Sequence, residues 1–353
     1  DGAAYFGSAS TMSFSTLVNH GTILGGAGDA IYLVSGFDAL AFTNTGVTEG
    51  AVTLSTAADS IVNSGTILGD VDLGGGADSF TALGSGVVSG EVSGGAGDDV
   101  FHGADLSDTF YGGDDNDTIY GGNGTNSLYG EAGNDALGGG QDADYLDGGD
   151  GSDSLFAGLG DDELRGGAGN DVLRGGGGAD LIDGGIGFDQ ANYENSNAGI
   201  NVDLRSGNGF GGHAAGDVLT GIESLVGSAF DDTLLGNAGV NILRGEGGND
   251  YLRGFAGDDD LRGGDGNDQI LGEVGFDKLT GGAGNDTMTG GVNGDTFIFA
   301  DGFGKDVITD FEALNNFEKI DLAAVTAITD FADLAANHLT QVGADAVITD
   351  GAD

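Results

Sequence analysis

Gly166-Gly167-Ala168-Gly169-Asn170-Asp171-Val172-Leu173-Arg174 is one copy of a nine-residue sentence, G-G-x-G-x-D-x-U-x, in which U is a large apolar residue. The sentence repeats eleven times through residues 94–192 and eight times through residues 227–298. It predicts a glycine-rich turn of six residues followed by a three-residue strand whose middle side chain points inward. Glycine permits the positive φ of tight turns and leaves carbonyl oxygens uncovered.

Position six supplies a carboxylate in seventeen of the nineteen copies. These are Asp99, Asp108, Asp117, Asp135, Asp144, Asp153, Asp162, Asp171, Asp180 and Asp189 in the first array, then Asp232, Asp250, Asp259, Asp268, Asp277, Asp286 and Asp295 in the second. Asn126 and Asn241 are the exceptions. Carbonyls plus carboxylates, with no Cys and four scattered His, are ligands for a hard cation, and a flexible oxygen shell favours Ca²⁺ over Mg²⁺. Position eight is apolar throughout, from Phe101 to Phe297, and should form the core. Positions seven and nine should face solvent, where Arg165, Arg174, Arg244, Arg253 and Arg262 occupy position nine. Two nonapeptides make one coil of a parallel solenoid, so copies i and i+2 stack on the same edge with a cation between them.

Nineteen in-register copies make the chain similar to the RTX (repeats in toxin) family of haemolysin-type, calcium-binding secreted proteins. The resemblance implies an all-β, right-handed parallel β-solenoid with Ca²⁺ between turns. It further implies that the carbonyls of positions one and three and any side-chain oxygen at five face one cation, while two, four and the position-six Asp face the next. Position five carries such an oxygen in Asp98, Asn116, Asn134, Asp161, Asn170, Asp231, Asn249, Asp258, Asn267 and Asn285. It is apolar in Ala179, Phe188, Val240 and Phe276, so Asn126, Phe188, Asn241 and Phe276 are expected to mark weak rungs.

Composition sets a matching constraint. The chain has 58 acidic and 9 basic residues, a net charge of −49, and none of the basic residues precedes Arg165. Repulsion of that size opposes compaction unless counter-ions are built in. One ion between each pair of stacked turns gives roughly 15 Ca²⁺, which offset about 30 charges. The arrays are therefore expected to fold only when Ca²⁺ binds. Binding of nucleic acid and insertion into membranes are not expected, since there is neither a basic patch of the kind nucleic acid selects nor an apolar run of membrane-helix length. Absence of Cys excludes disulfides.

Five regions follow. Residues 1–93 read as a parallel β-helix with coils of about 20 residues, because N-x-G-x-x-x-G recurs from Asn19, Asn44 and Asn63, with Gly84 in place of Asn in a fourth copy. Ile23, Ile61, Ile67 and Val71 should lie inside, and Asp29 and Asp78 sit in turns that approach the array sentence without a metal being required there. Residues 94–192 and 227–298 are the two β-roll blocks, and 193–226 are longer connecting rungs, with His213 and Glu223 expected to be a turn residue and a rung carboxylate. Residues 299–353 resemble the C-terminal region of serralysin-like proteins exported by type I secretion. Such a region implies a small α+β cap, with a short helix over 329–338, and an apolar tail that the sequence does not reach. No signal-peptide pattern follows Asp1, so the expectation is either that a leader has been removed or that export uses another address.

No H-E-x-x-H or G-x-S-x-G occurs, His20, His102, His213 and His338 are isolated, and no catalytic residue or organic cofactor is expected. Two functions remain open. One is an extracellular structural protein of a surface layer, filament or adhesin, self-associating end to end or attaching to a cell surface through open sheet edges. The other is the C-terminal folding and secretion module of a larger hydrolase or toxin.

Overall fold

Alternation along each short strand turns position eight inward, and all nineteen position-eight side chains are buried in the computed structural model. Register stacks them in columns. Leu128, Leu146, Leu164 and Ile182 pair across successive parallel strands, each partner 18 residues on. Each buried side chain of this size contributes about 2 kcal/mol. The chain is a parallel β-solenoid, and it divides into two compact units, Asp1–Asp189 and Gln190–Asp353. The structure describes residues 4–6, 16–25, 29–33, 39–311, 317–328, 333, 339–342 and 345–348.

In the first unit the early coils have three faces. One stack comprises Thr16–Asn19, Ala41–Asn44, Ser60–Asn63 and Ser79–Ala82. A second comprises Thr22–Leu24, Val47–Glu49, Thr66–Leu68 and Val87–Val88. A third runs through Ile31–Leu33, Val52–Thr53 and Val71–Asp72. Ile61, Ile67 and Val71 are buried in this core and Ile23 is half-buried. The counterpart of Asn63 on the next coil is Ala82 rather than Gly84, because Leu83 to Gly86 form an added turn after the strand. From Val92–Ala96 onward the second face is gone and two sheets remain.

Most array strands span six residues, not three. Tyr145–Asp150 runs from position seven through position three of the next copy, pairing Tyr145, Leu146 and Asp147 with Glu163, Leu164 and Arg165, and then Gly149 and Asp150 with Gly167 and Ala168. The strand bends at Gly148, and left-handed Gly149 (φ 100°) lets it continue around the corner instead of ending there.

The second unit opens with Gln190–Asn192, which carries the position-eight Ala191, and then adds rungs the nonapeptide count does not contain. Gln190–Asn192 pairs with Ser224–Val226, which pairs with Ile242–Gly247. Asn201–Asp203 runs parallel to Thr233–Leu235, while Asn208–Phe210 pairs antiparallel with Asn201–Asp203, and its Asn208 with Val218. Residues 193–226 thus supply rungs and also an antiparallel excursion, closed by a 3-10 turn at Gly212–Ala214 and by the buried Tyr193 hydroxyl donating to Asp217 Oδ2 at 2.9 Å. His213 lies in that turn and its backbone N–H donates to Ser196 Oγ.

After the last array strand, Val307–Ile308 and Lys319–Ala324 each add one parallel rung, and Leu339–Val342 pairs antiparallel with Asp345–Ile348. The helix expected over residues 329–338 falls, apart from Asp333, outside the described residues. No helix among the described residues is long and apolar enough to cross a membrane.

Candidate metal centres

Every position-six side chain except the half-buried Asp108 is buried beneath its own turn, and the position-six side chains reach back to the turn before. Oδ1 of Asp117 accepts the N–H of Asp99 at 2.8 Å, Asp135 that of Asp117 at 2.7 Å, Asp153 that of Asp135 at 2.8 Å, and so on by steps of 18. The second unit repeats the pattern through Asp250, Asp268 and Asp286 on one edge and Asp259, Asp277 and Asp295 on the other. Position-five side chains point the opposite way. Oδ1 of Asp98, Asn116, Asn134, Asp161 and Asn170 accepts the N–H of the residue 18 later, as do Asp231, Asn249, Asp258 and Asn267, and Asn285 accepts from Lys305. Each such turn is thus stapled backward by a buried residue and forward by an exposed one. Because the forward donor is backbone, Phe188 and Phe276 can end a forward ladder without breaking it.

The second carboxylate oxygen decides the chemistry. Oδ2 of Asp99, Asp117, Asp135, Asp144, Asp153, Asp162, Asp171, Asp250, Asp259, Asp268, Asp277, Asp286 and Asp295 is buried with no hydrogen-bond partner, and so is that of Asp78 and Asp306. In all fifteen of these turns the residue at position two is left-handed, including the non-glycines Glu131, Glu246, Phe255 and Glu273. In these turns the position-two N–H makes no hydrogen bond to Oδ2. Four turns with an ordinary position two do the reverse. Ser55 N–H donates to Asp59 Oδ2 at 3.2 Å, Ser228 N–H to Asp232 Oδ2 at 2.5 Å, Asn237 N–H to Asn241 Oδ1 at 2.7 Å, and Ala104 N–H to Asp108. Turns are therefore open or closed according to the φ of one residue. Asn126 has a left-handed Gly122 before it but supplies its own partner, Nδ2 donating to the Gly124 carbonyl at 3.0 Å. Asp180 and Asp189 also follow left-handed glycines, Gly176 and Gly185.

An open turn encloses oxygen. A Cβ on Gly148 would collide with Asp153 Oδ2 and with the carbonyl oxygen of Gly166 on the next turn, and one on Gly151 with the carbonyl of Gly133 on the turn before. Among the described residues no three acidic, His or Cys side chains converge at one point, so a cation held here takes most of its ligands from backbone carbonyls. A buried, unpartnered carboxylate oxygen among carbonyls fits Ca²⁺. Once bound, the ion supplies positive charge that the protein does not place there.

Titration behaviour reports the same deficit. Burial pushes Asp117 up to about 8, with the neighbouring Asp135 and Asp99 carboxylates adding to the rise and the Asp99 N–H opposing it. Burial raises Asp78, Asp153, Asp250, Asp277 and Asp306 to about 7, and Asp99, Asp108, Asp135, Asp144, Asp259 and Asp268 to about 6.

Three ladder members lie outside the nineteen copies. Asp59 and Asp78 carry the backward ladder into the early coils, the N–H of Leu40 donating to Asp59 and that of Asp59 to Asp78. Asp306 extends it past the second array, accepting from Asp286 N–H at 2.9 Å. The signal for Asp306 was present as Gly302-Phe303-Gly304-Lys305-Asp306-Val307-Ile308, displaced because eleven residues rather than nine separate Asp306 from Asp295.

Parallel rungs, left-handed turn residues and buried unpartnered carboxylates define a β-roll of the calcium-binding class. A family model for the RTX calcium-binding nonapeptide repeat matches residues 91–109, 102–137, 129–164, 138–173, 156–191, 219–252, 235–270 and 262–297, a little over half of the chain. The chain belongs to that family. A search of curated proteins found no match to it.

Proposed function

We propose that this chain is an extracellular protein that crosses the secretion machinery unfolded, folds when Ca²⁺ fills its open turns outside the cell, and then serves a structural role in a surface layer, filament or adhesin. The fifteen buried Oδ2 atoms without a donor carry this reading, because a stack of uncompensated buried charge is unstable until a cation enters each gap. Extracellular calcium modules typically bind at about 10⁻⁴–10⁻³ M, a range that separates the two sides of a cell membrane. The structural role is supported by the early coils, where the strands from Thr16–Asn19 to Ser79–Ala82 already stack as solenoid rungs.

No catalytic role is proposed. His20 is engaged with Thr45 Oγ1 at 2.7 Å, and His102 stacks on Tyr120. Circular dichroism of the full chain during a Ca²⁺ titration tests the folding step. A cooperative gain of β signal is expected, and a full β signal in excess chelator at neutral pH contradicts it. Electron microscopy with and without chelator tests the role, with Ca²⁺-dependent sheets or filaments expected and isolated particles under all conditions counting against it.

A further inference from the structure

Arg165, Arg205, Arg253 and Arg262 each form an ion pair with a nearby acid. Arg165 bonds Glu163 at 2.6 Å and Arg262 bonds Asp260 at 2.7 Å, the acid two residues earlier on the same strand face, and Arg205, in the turn after its strand, bonds Asp203 at 2.7 Å. Arg253 finds its acid on a later rung, in Glu273. Arg244 has neither arrangement. Ile242 occupies the place of the acid, no nitrogen of Arg244 meets an acceptor among the described residues, and its Nε is buried. Its register partner on the next rung is Arg262. Like charges directly opposite each other destabilise a sheet unless something neutralises them.

The third rung adds to the imbalance. Lys278 pairs with Asp260 in register, stands diagonal to Arg262 and forms no ion pair among the described residues. Lys319 lies further along the same column, beyond Thr296. Four of the second unit's seven basic side chains, in a chain of net charge −49, therefore share the outer face of one sheet.

We propose that the outer face of Ile242–Gly247, Asp260–Asp265 and Lys278–Ala283 binds a doubly charged oxoanion group, of the kind carried by inorganic sulfate or a phosphate monoester. Arg244, Arg262 and Lys278 against Asp260 leave a net charge of about +2, which a dianion neutralises. Adjacent rungs lie about 4.8 Å apart, a spacing that lets the Arg244 guanidinium and that of Arg262, whose Nε and Nη2 are held by Asp260, face one tetrahedral group as a pair of charges. The face lies away from the calcium turns, since positions seven and nine project from the sheet and not from its edges. A second copy of the chain fits less well, because two molecules of this charge repel before they dock.

The test uses the full calcium-loaded chain, labelled so that the Nε–H signals of its six arginines are resolved, and titrated with sodium sulfate, which remains soluble beside Ca²⁺. The Arg244 and Arg262 signals should shift saturably while that of Arg165 does not. Arg244→Gln and, separately, the exposed Lys278→Gln should each weaken sulfate binding at least tenfold, with Arg165→Gln leaving it unchanged. Circular dichroism confirms that each variant still folds with Ca²⁺. The proposal is overturned if no signal saturates, if all six arginines shift alike, or if sodium chloride at equal ionic strength reproduces the shifts. It also fails if the shifts follow protein dilution instead of sulfate, which would make the face an interface between copies.

Discussion

The early coils and the nonapeptide arrays of the first unit stack with the same parallel geometry and staple their turns with opposite chemistry. At one corner of the first three coils a buried asparagine closes the rung, while Asp59 and Asp78 staple another corner as the arrays do. Asn19 Nδ2 donates to Asn44 Oδ1 at 2.8 Å, Asn44 Nδ2 to Asn63 Oδ1 at 2.9 Å, and Asn63 Nδ2 to the Val87 carbonyl at 3.0 Å. An amide donates and accepts, so this ladder is neutral and self-sufficient. In the arrays a carboxylate fills the same structural need but only accepts, and one of its oxygens remains without a donor. Dependence on an ion is thus a local property of the residue at the staple and not of the solenoid.

The largest expected effect comes from pH in the presence of chelator. Carboxyls held at about 6 to 8 in the fold, among them Asp117, Asp153 and Asp250, titrate near 3.9 when unfolded. The folded state then binds more protons than the unfolded one between those values, so the contribution of these carboxyls to metal-free stability is fully present below about pH 4 and is lost as pH rises through 6 to 8. Metal-free chain should show more β signal at pH 5 than at pH 8. With Ca²⁺ the direction reverses, because protons compete for the same oxygens. Equal signals at both pH values without metal would break the distinction between the two ladders.

Asn44→Asp transfers the array chemistry into the coils. It removes the donor to Asn63 and buries a charge without its cradle, which should cost about 3 to 5 kcal/mol by denaturant unfolding at saturating Ca²⁺. An unchanged midpoint would mean that the amide ladder does not hold the coils. Asp153→Asn is the milder converse. Oδ1 still accepts from Asp135 N–H while the charge is gone, so equilibrium dialysis should count one ion fewer with the fold retained. The smallest change is Ser228→Gly, which permits a left-handed turn above Asp232 and should open a closed turn, adding one ion.

Much of this was legible in residue spacing. Position eight named the core and position six named the repeating carboxylate, since both recur every nine residues, but the backward hydrogen bond that this carboxylate makes was not read. The open and closed states were harder to read, because Ser55, Ala104, Ser228 and Asn237 at position two are unremarkable residues whose effect depends on φ. The amide ladder was hidden for another reason. Its members are separated by unequal coils of 25 and 19 residues, so Asn19, Asn44 and Asn63 read as turn residues when they are buried strand ends. The six-residue strands escaped as well, since glycine in sequence marks a turn whether or not the ladder continues around it.

Segment-resolved hydrogen exchange, with Ca²⁺ and in excess chelator at neutral pH, tests the central claim most directly. Removing the ion should release the amides of Tyr145–Asp150, Glu163–Ala168 and Tyr251–Ala256 to fast exchange while Ala41–Asn44 and Ser60–Asn63 retain protection. Protection that persists in the arrays under chelator, or that is lost equally in coils and arrays, would contradict it.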